Sequence, residues 1–254
     1  MKVRPLHPHA ALLVEDDDKD KRYVVVSDLH IGLEAELGAK GITVQSSLMR
    51  EMQDELLSLL SKEKADGLIL LGDIKNTVGA ISKQEWDDVP AFFKSLSSAA
   101  DVYLVPGNHD GNIRHLVPDS VNVAASKGMV IGDTLFVHGH SMPSGTRSHV
   151  RRIVMGHVHP VFLKKGSVVN GERVWISIQA KKETLFSSEQ GAIDIVVVPS
   201  FNRYLYSSGE RGYYRKSTSP ITSRIMDAKA VERCMVITLD GSIVGDESVL
   251  ESVL

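Results

Sequence analysis

The sequence predicts an α/β fold in which two β-sheets pack face to face and helices cover both outer faces, a four-layer α/β/β/α sandwich. In the first half, short and nearly continuous apolar runs alternate with helical patterns, which is typical of parallel strands buried on both faces. In the second half, five strand-like runs follow one another with few helical patterns between them. One mixed sheet with helices and a second sheet packed against it would account for both patterns.

Three strands are predicted in the first half: "RYVVVSD" (22–28), "GLILLGD" (67–73) and "DVYLVP" (101–106). A helix is predicted between the first two, because apolar residues recur there at helical spacing. These residues are Leu48, Met52, Leu56, Leu59 and Leu60. The segment therefore forms a strand, helix, strand unit.

A second helix is predicted to begin at Ser82, because Glu85 follows three residues later and completes a capping box. We expect Pro90 to kink or divide this helix. Its apolar stripe would consist of Trp86, Val89, Phe92, Phe93 and Leu96.

The later strand-like runs are "GMVIG", "TLFVHGH", "RRIVMGH", "RVWISIQA" and "AIDIVVVPSF". The tail, about residues 217–254, has one clear strand candidate, "CMVITLDG", which would add to a sheet edge as a hairpin partner. No internal repeat or low-complexity linker is present. We therefore expect residues 1–254 to form one domain, with the tail packed on it as an extension.

Composition narrows the class of protein. With 254 residues, of which 43% are hydrophobic, the chain can bury a sizeable core. No apolar run approaches the roughly 18 residues of a membrane span, and the N-terminal residues lack the features of a signal peptide, so we expect a cytoplasmic protein without membrane contact. The single cysteine, Cys234, excludes an internal disulfide framework and is expected to pack in the core.

Charge is distributed unevenly although the net charge is only -3. Residues 141–220 contain 12 Lys and Arg against 5 Asp and Glu, and the rest of the chain is acidic. This asymmetry favours a partly basic face, although a solvated surface of mixed charge would also account for it.

Residues that could bind a metal or transfer a proton follow the predicted strands. "SDLH" ends the first strand, "LGD" the second and "GNHD" the third, and "HGH" and "GHVH" occur in the second half. "GNHD" alone would fit a turn, but six of the ten histidines of the chain fall in these motifs. Because loops at the carboxyl ends of parallel strands converge, we expect these side chains to meet at one edge.

The residue types in these motifs predict a binuclear metal site. Two divalent metals about 3.5 to 4 Å apart need a bridging anion, which one Asp between sets of neutral ligands can supply. Imidazole with carboxylate suits Mn, Fe or Zn better than Ca. In Asp28-x-His30 and His157-x-His159, residues i and i+2 of an extended strand end would point the same way.

The ordered motifs "DLH", "GD", "GNHD", "HGH" and "GHVH" resemble those of the calcineurin-like metallophosphoesterase superfamily, over about residues 22–160. The longer stretches "SDLHIGLEAEL" and "PSFN" (199–202) resemble its SbcD-related archaeal branch and its helicase-associated bacterial members. The resemblance implies two divalent metal ions, with Mn preferred and Fe, Zn or Ni as alternatives.

The resemblance also implies a role for each matching residue. Asp73 would bridge the two metals, and His109 would face the substrate phosphate, oriented by Asp110. His138 is preferred as the ligand from "HGH", with His140 supporting it, although the two remain alternatives. One metal would be held by Asp28, His30 and His159, and the other by Asn108, His138 and His157.

The implied activity is hydrolysis of phosphodiesters by in-line attack of a hydroxide that bridges the metals. DNA, RNA or nucleotides are the expected substrates, and a helicase or ATPase would be the expected partner. The stretch "SFNRYLYSSGERGYYRK" (200–216) interleaves basic and aromatic residues, as single-strand binders do, although a hairpin would also explain it. We place Asn202 and Arg203 there as supporting or substrate residues.

Three alternatives remain open. A broad small-molecule phosphatase or phosphodiesterase would use the same metal ligands. A non-catalytic scaffold of the same fold would have lost ligands, but every expected ligand type is present here. A single-metal hydrolase of another fold would leave Asp73 or Asn108 unused, and metal stoichiometry would expose it.

Overall fold

A computed structural model describes residues 1–43, 47–143, 148–205 and 218–254. It contains one sheet of six strands and one of seven, packed face to face. This is the predicted α/β fold, a two-sheet sandwich flanked by helices. Within the described residues, no helix is both long enough and apolar enough to cross a membrane.

The first sheet has its strands in chain order, so each strand neighbours the next. Strands β3 to β6 run parallel, whereas β1 and β2 add to β3 in antiparallel fashion. The sequence reasoning had missed β1 and β2. The strands are β1 (Lys2–Pro5), β2 (Leu12–Asp16), β3 (Lys21–Val26), β4 (Gly67–Leu70), β5 (Asp101–Leu104) and β6 (Asn122–Val123).

The second sheet has the order β13-β12-β10-β11-β9-β8-β7. Its parallel part is β8, β9 and β11, and all its other pairings are antiparallel. The strands are β7 (Met129–Ile131), β8 (Thr134–Val137), β9 (Arg152–Met155), β10 (Val174–Lys181), β11 (Ala192–Val197), β12 (Val231–Thr238) and β13 (Ile243–Gly245).

The helices lie in the loops of the first sheet and in the C-terminal tail. They are α1 (Leu33–Ala39), α2 (Leu48–Glu63), α3 (Lys83–Ser97), α4 (Pro220–Asp227) and α5 (Leu250–Val253). Three-residue 3₁₀ helices occur at Ile113–His115, Lys182–Thr184, Arg203–Leu205 and Glu247–Val249.

Strand residues alternate between two apolar layers, as the two-residue period of a strand requires. In β3, Val24 and Val26 face the core beneath the helices, whereas Val25 faces the layer between the sheets. In β9, Val154 faces that same layer, and Ile153 packs in a third core on the outer side of the second sheet. Both faces of β3 and β9 are thus buried, which explains the continuous apolar runs of such parallel strands.

The predicted first helix is confirmed as α2, and the capping box of Ser82 and Glu85 is present at the start of α3. Pro90 does not divide α3, which is continuous from Lys83 to Ser97. Trp86 was wrongly assigned to the buried stripe. It is 50% exposed, because it lies on the solvent side of the first turn, whereas Val89 and the later members are buried.

The tail differs from expectation in two respects. Its strand candidate, β12, lies inside the sheet between β10 and β13, so β13 forms the edge instead. The tail also contains α4, whose Ile221 and Ile225 pack on the outer core of the second sheet. Cys234 lies on β12 and is half-buried, and burial raises the pKa of its thiol to about 12.

Candidate metal centre

The candidate metal ligands lie in loops directly after five strands of the two sheets. Asp28 and His30 follow β3, Asp73 follows β4 and Asn108 follows β5, all from the first sheet. The second sheet adds His138 after β8, and His157 and His159 after β9. Because the two sheets pack face to face, their carboxyl edges bring these loops together.

The backbone at these positions is unusual. Five candidate ligands have a left-handed backbone, namely Asp28 (φ 59°), His30 (φ 47°), Asp73 (φ 50°), His157 (φ 70°) and His159 (φ 49°). Each such residue costs about 1–3 kcal/mol, and such residues cluster at functional sites. The extended i, i+2 geometry expected for the Asp-x-His and His-x-His pairs is therefore wrong: the strands end earlier, and left-handed turns aim the side chains inward.

One group of candidate ligands consists of Asp28, His30, Asp73 and His159, whose ligand atoms all lie within 4.8 Å of one another. His159 Nε2 is 3.1 Å from Asp28 Oδ1, and His30 Nε2 is 3.8 Å from Asp73 Oδ2. Three of these side chains are buried, and His159 is half-buried. Two carboxylates and two imidazoles in this space can hold one divalent cation.

A second group consists of Asp73, His138 and His157. His138 Nε2 lies 3.3 Å from Asp73 Oδ2 and 3.2 Å from Asn108 Oδ1, so the Asn108 amide oxygen borders the same space. Asp73 belongs to both groups. The structure thus brings together all seven residues that the sequence nominated, with one carboxylate positioned between two ligand sets.

Hydrogen bonds from outside the two groups hold the carboxylates in place. Asp28 Oδ2 accepts from Ser27 Oγ at 2.6 Å and from the backbone N–H of His157 at 3.0 Å. Asp73 Oδ1 accepts from the backbone N–H of His109 at 2.8 Å. Each carboxylate therefore uses one oxygen for support and directs the other towards the histidines, as supported metal ligands do.

Two glycines allow this close packing. A Cβ atom at Gly107 would lie 2.2 Å from Asp73 Oδ1, and one at Gly156 would lie 1.6 Å from Ser27 Oγ. Any larger residue at either position would displace a candidate ligand or its supporting hydroxyl. The glycine before Asn108 and the glycine before His157 are therefore required by contact with the site.

The protonation states fit divalent cations. Burial lowers the pKa of His30 to about 4, and burial together with His138 lowers that of His157 to about 4, so both are neutral imidazoles at pH 7. Neither ring nitrogen of His30 makes a hydrogen bond with the described part of the chain. A buried ring of this kind needs a partner, and a metal ion would provide one.

Unlike His30 and His157, Asp28 and His138 are charged at pH 7: Asp28 is negative and His138 is positive. Burial alone would raise the pKa of Asp28, but His159 and His138 lower it to about 2. Burial opposes charging of His138, yet Asp73 and the other neighbours raise its pKa to about 9. A cation bound between His138 and Asp73 would replace this proton, so the residues present fit two divalent metals.

His109 lies beside both groups. Its Nδ1 is 2.5 Å from the carbonyl oxygen of Asn76, so Nδ1 carries hydrogen and donates. Its Nε2 faces the centre, 3.9 Å from Asp73 Oδ2, and the side chain is 24% exposed. The ring therefore presents Nε2 to a ligand that approaches the two groups from solvent.

Asp110 does not have the orienting role that we expected. Its carboxylate accepts from the backbone N–H groups of Gly107 at 2.8 Å, Ile74 at 2.9 Å and, more weakly, Lys75 at 3.4 Å. The Asn76 carbonyl orients His109 instead. Asp110 is buried and joins the loop after β4 to the loop after β5, so it fixes the positions of Asp73 and Asn108 relative to each other.

His140 and Asn202 lie at the margin of the centre. The His140 ring is 5.3 Å from the ring of His138 and is absent from both ligand groups. Asn202 is buried and donates from Nδ2 to the carbonyl of Leu29 at 2.8 Å, and Ser200 Oγ donates to the carbonyl of Asp28 at 3.1 Å. This loop after β11 supports the left-handed turn that carries Asp28 and His30.

Arg203 contacts helix α2 and its neighbour Tyr204. It forms an ion pair with Glu51 of α2, lies over the ring of Tyr204 and borders a cavity of about 370 Å³ between α2 and the loop after β11. The remaining basic and aromatic residues of the predicted strand-binding stretch, from Tyr206 to Lys216, lie outside the described residues.

Sequence reasoning missed Ser27, Ser200 and Asn76 as supporting residues. Ser27 and Ser200 stand within the quoted motifs "SDLH" and "PSFN", so their position next to a ligand or a matched residue was the available signal. Asn76 acts through its backbone carbonyl. Every residue has such a group, so no side-chain pattern could have identified it.

The chain belongs to the calcineurin-like phosphoesterases, a family of dinuclear metal-dependent phosphoesterases. Residues 21–179 match the family described as "Calcineurin-like phosphoesterase", which covers more than half of the chain and includes all seven candidate ligands. No curated protein matches the sequence significantly.

The solved structures that resemble the chain include the following three. The nuclease MPE of Pseudomonas putida is 20% identical with a TM-score of 0.52, and the match covers 94% of this chain and 98% of that one. Yfce, a phosphoesterase from E. coli, is 15% identical with a TM-score of 0.42, covering 89% and 98%. TT1561 of Thermus thermophilus is 13% identical with a TM-score of 0.35, covering 86% and 94%. At these identities the likeness to the first shows the fold alone.

Proposed function

We propose that the protein is a two-metal phosphodiesterase that acts on DNA, RNA or nucleotides. The observation that carries the proposal is the pair of ligand groups that share Asp73, with His109 Nε2 facing the same space. When bound, two divalent cations would activate a water nucleophile and neutralise the phosphoryl oxygens.

The ligand assignment follows the two groups. Asp28, His30 and His159 would hold one metal, and His138, His157 and Asn108 the other, with Asp73 in contact with both. His140 would support His138. Mn is the metal we propose, because imidazole, carboxylate and amide ligands together suit it, and Fe, Zn and Ni remain alternatives.

His109 would act as the general acid. Because its Nδ1–H donates to Asn76, the proton that it gives to the leaving oxygen would be on Nε2, the nitrogen that faces the centre. Asp110 would fix the loop of Asp73 and the loop of Asn108 relative to each other. Asn202 would hold the Asp28–His30 turn and would not contact substrate.

Several observations support a nucleic-acid or nucleotide substrate. Residues 141–220 have an excess of basic residues, and phosphodiester backbones attract such surfaces. The structural neighbour from Pseudomonas putida is named a nuclease. We also propose membership of the SbcD-related branch on the stretches "SDLHIGLEAEL" and "PSFN", and with it a helicase or ATPase partner. A single domain and a cytoplasmic location stay predictions.

The first experiment compares three substrates: bis-p-nitrophenyl phosphate, p-nitrophenyl phosphate and labelled single-stranded DNA. Mn is added to metal-stripped protein, and bound metal is counted in parallel. We expect cleavage of the diester and of DNA. His109→Ala should retain two metals, lower DNA cleavage about 10²- to 10⁴-fold and leave cleavage of the nitrophenyl diester unchanged, because nitrophenolate leaves without a proton. His115→Ala is the matched control, because His115 is exposed and outside the site.

Other outcomes would contradict the proposal in different ways. Faster cleavage of the monoester than of the diester would favour a phosphatase. Two bound metals with no cleavage of any substrate would contradict the phosphodiesterase. Protein that binds no metal and cleaves no substrate would favour a non-catalytic scaffold. Loss of metal in His109→Ala would mean that His109 helps to hold the metals and does not serve only as the general acid.

A further inference from the structure

Two buried residues with ionisable side chains, both outside the metal centre, hydrogen-bond to Thr77. The Lys75 side chain is fully buried, and its Nζ donates to the Thr77 carbonyl. Glu85 is also fully buried and accepts from the Thr77 backbone N–H at 2.8 Å and from Thr77 Oγ1 at 2.6 Å. Lys75, Thr77 and Glu85 are called the Thr77 clamp below.

The charges in the Thr77 clamp call for an explanation. Burying a lysine or a glutamate is costly unless its hydrogen-bonding groups are satisfied, and fully buried ones are rare. Within the described residues, neither Lys75 nor Glu85 forms an ion pair. Both side chains bond instead to Thr77 in the loop after Asp73, and Glu85 also accepts from the backbone N–H of Ser82.

The peptide unit between Asn76 and Thr77 connects the clamp to His109. Its N–H is the Thr77 donor to Glu85, and its carbonyl oxygen is the Asn76 acceptor of His109 Nδ1, 2.5 Å away. A peptide unit is planar and trans, so its N–H and C=O point in opposite directions and one fixes the other. Glu85, the peptide and His109 therefore form one continuous chain of hydrogen bonds.

Polarisation acts along the same chain. A carboxylate that accepts from the N–H of a peptide polarises that peptide unit. The carbonyl oxygen on the other side gains negative charge and becomes a stronger hydrogen-bond acceptor. Burial alone would raise the pKa of Glu85, but hydrogen bonds from Thr77 and Ser82 lower it below its ordinary range. The carboxylate is thus charged at neutral pH and acts on His109 without touching it.

The other side of Asn76 is also held. Its backbone N–H donates to the carbonyl of Ile31 at 3.0 Å, and its Nδ2 donates to Glu36 Oε2 at 2.8 Å. With Thr77 held by the clamp, the carbonyl that contacts His109 has little freedom to rotate. The His109 ring is fixed with Nδ1 towards Asn76 and Nε2 towards the centre.

We propose that Glu85 is a positioning residue for His109, and that it acts through the peptide between Asn76 and Thr77 with the help of Lys75 and Thr77. The inference rests on the proposed role of His109 as general acid. Glu85 would do for this histidine, through a peptide unit, what a directly bonded carboxylate does in other acid–base pairs.

The test must separate this role from helix capping, because Glu85 also accepts from the Ser82 backbone N–H at 2.7 Å. Glu85→Gln keeps the size of the side chain and removes its charge. Thr77→Val removes the hydroxyl that donates to Glu85, and Thr77→Ser restores it. Ser82→Ala removes the other half of the capping box, the acceptor of the Glu85 N–H at 3.2 Å, without contact to Thr77.

The kinetic readout is how kcat depends on the leaving group of the substrate. A dinucleotide releases a basic alkoxide that needs a proton, whereas bis-p-nitrophenyl phosphate releases an anion that does not. We expect Glu85→Gln and Thr77→Val to lower kcat for the dinucleotide about 10- to 100-fold, the usual effect of a supporting partner, and to leave kcat for the nitrophenyl diester unchanged. Thr77→Ser and Ser82→Ala should keep both rates.

A double-mutant cycle gives the second readout. Because Glu85 would act only through His109, Glu85→Gln should cause no further loss in the His109→Ala background. Additive losses, or equal losses on both substrates, would mean that Glu85 only stabilises the fold and would overturn the inference.

A third readout does not depend on activity. In proton NMR of the metal-stripped protein, a downfield His109 Nδ1–H resonance, absent in His109→Ala, should persist in Ser82→Ala and be shifted or lost in Glu85→Gln. An unchanged resonance in Glu85→Gln overturns the inference. If His109→Ala itself shows no dependence on the leaving group, the proposed acid role fails, and the NMR result still decides whether Glu85 positions the ring.

Discussion

The parallel and the antiparallel strands of the same two sheets differ in the residues at their carboxyl ends. Every candidate ligand and His109 come after β3, β4, β5, β8 or β9, each of which has a parallel neighbour. The strands β1, β2, β7, β10, β12 and β13 have only antiparallel partners, and no candidate ligand comes directly after them.

The difference has a geometric reason. An antiparallel strand can return through a tight hairpin, as β2 does to β3, so its end is occupied by the turn. A parallel strand needs a crossover, which leaves a longer loop and free backbone at its carboxyl end. In this protein two parallel regions face each other, and their loops together supply the two groups of candidate metal ligands.

Replacing the shared carboxylate should have the largest effect. Asp73→Asn weakens both ligand groups at once, so we expect loss of both metals and a fall in diester hydrolysis of about 10³-fold or more. Metal analysis and initial rates measure it. Asp17→Asn, in the antiparallel β2–β3 hairpin, is the control and should keep both. If Asp73→Asn retained two metals, the shared position would be wrong.

A supporting hydroxyl next to the parallel strand β3 should matter less. Ser27→Ala removes the donor to Asp28 Oδ2, and we expect metal affinity to fall about 10- to 100-fold. A calorimetric titration with Mn measures the change in affinity. Ser177→Ala on the exposed side of β10 is the antiparallel counterpart and should not alter affinity. Equal affinities for both variants would argue against support by Ser27.

A larger residue at the carboxyl end of β9 should lower the stability of the fold, because that end is closely packed. In Gly156→Ala the new Cβ would meet Ser27 Oγ, and overpacking of this kind costs about 1–3 kcal/mol. The free energy of unfolding in urea measures the cost. Gly38→Ala, where nothing lies within 4 Å of the new Cβ, should be neutral or slightly stabilising. An equally stable Gly156→Ala would show that the loops can separate.

The antiparallel edge should be the most tolerant region. Ile243 on β13 is 74% exposed, so Ile243→Ser should change the free energy of unfolding by no more than about 0.5 kcal/mol and leave hydrolysis unchanged. Thermal denaturation and diester hydrolysis measure the two quantities. A large loss of activity would mean that the antiparallel region contributes to the site.

The fold class and the candidate ligands could be predicted from the residues alone. Runs such as "VVV" in β3 and "LIL" in β4 are apolar because both faces of a parallel strand are buried, so the strands can be read without knowing their neighbours. The ligand types at the strand ends were equally visible. Strand β2 was missed because its run, "LLVED", lies next to a charged turn and has no helical pattern after it.

The geometry of the site residues could not be predicted before the chain had folded. Left-handed turns at Asp28 and His30 replaced the extended geometry predicted from spacing, because hydrogen bonds from the loop after β11, far along the chain, hold that backbone. The Asn76 carbonyl replaced Asp110 as the partner of His109. A sequence specifies side chains, whereas backbone carbonyls and close approaches between distant loops exist only once the two sheets have packed.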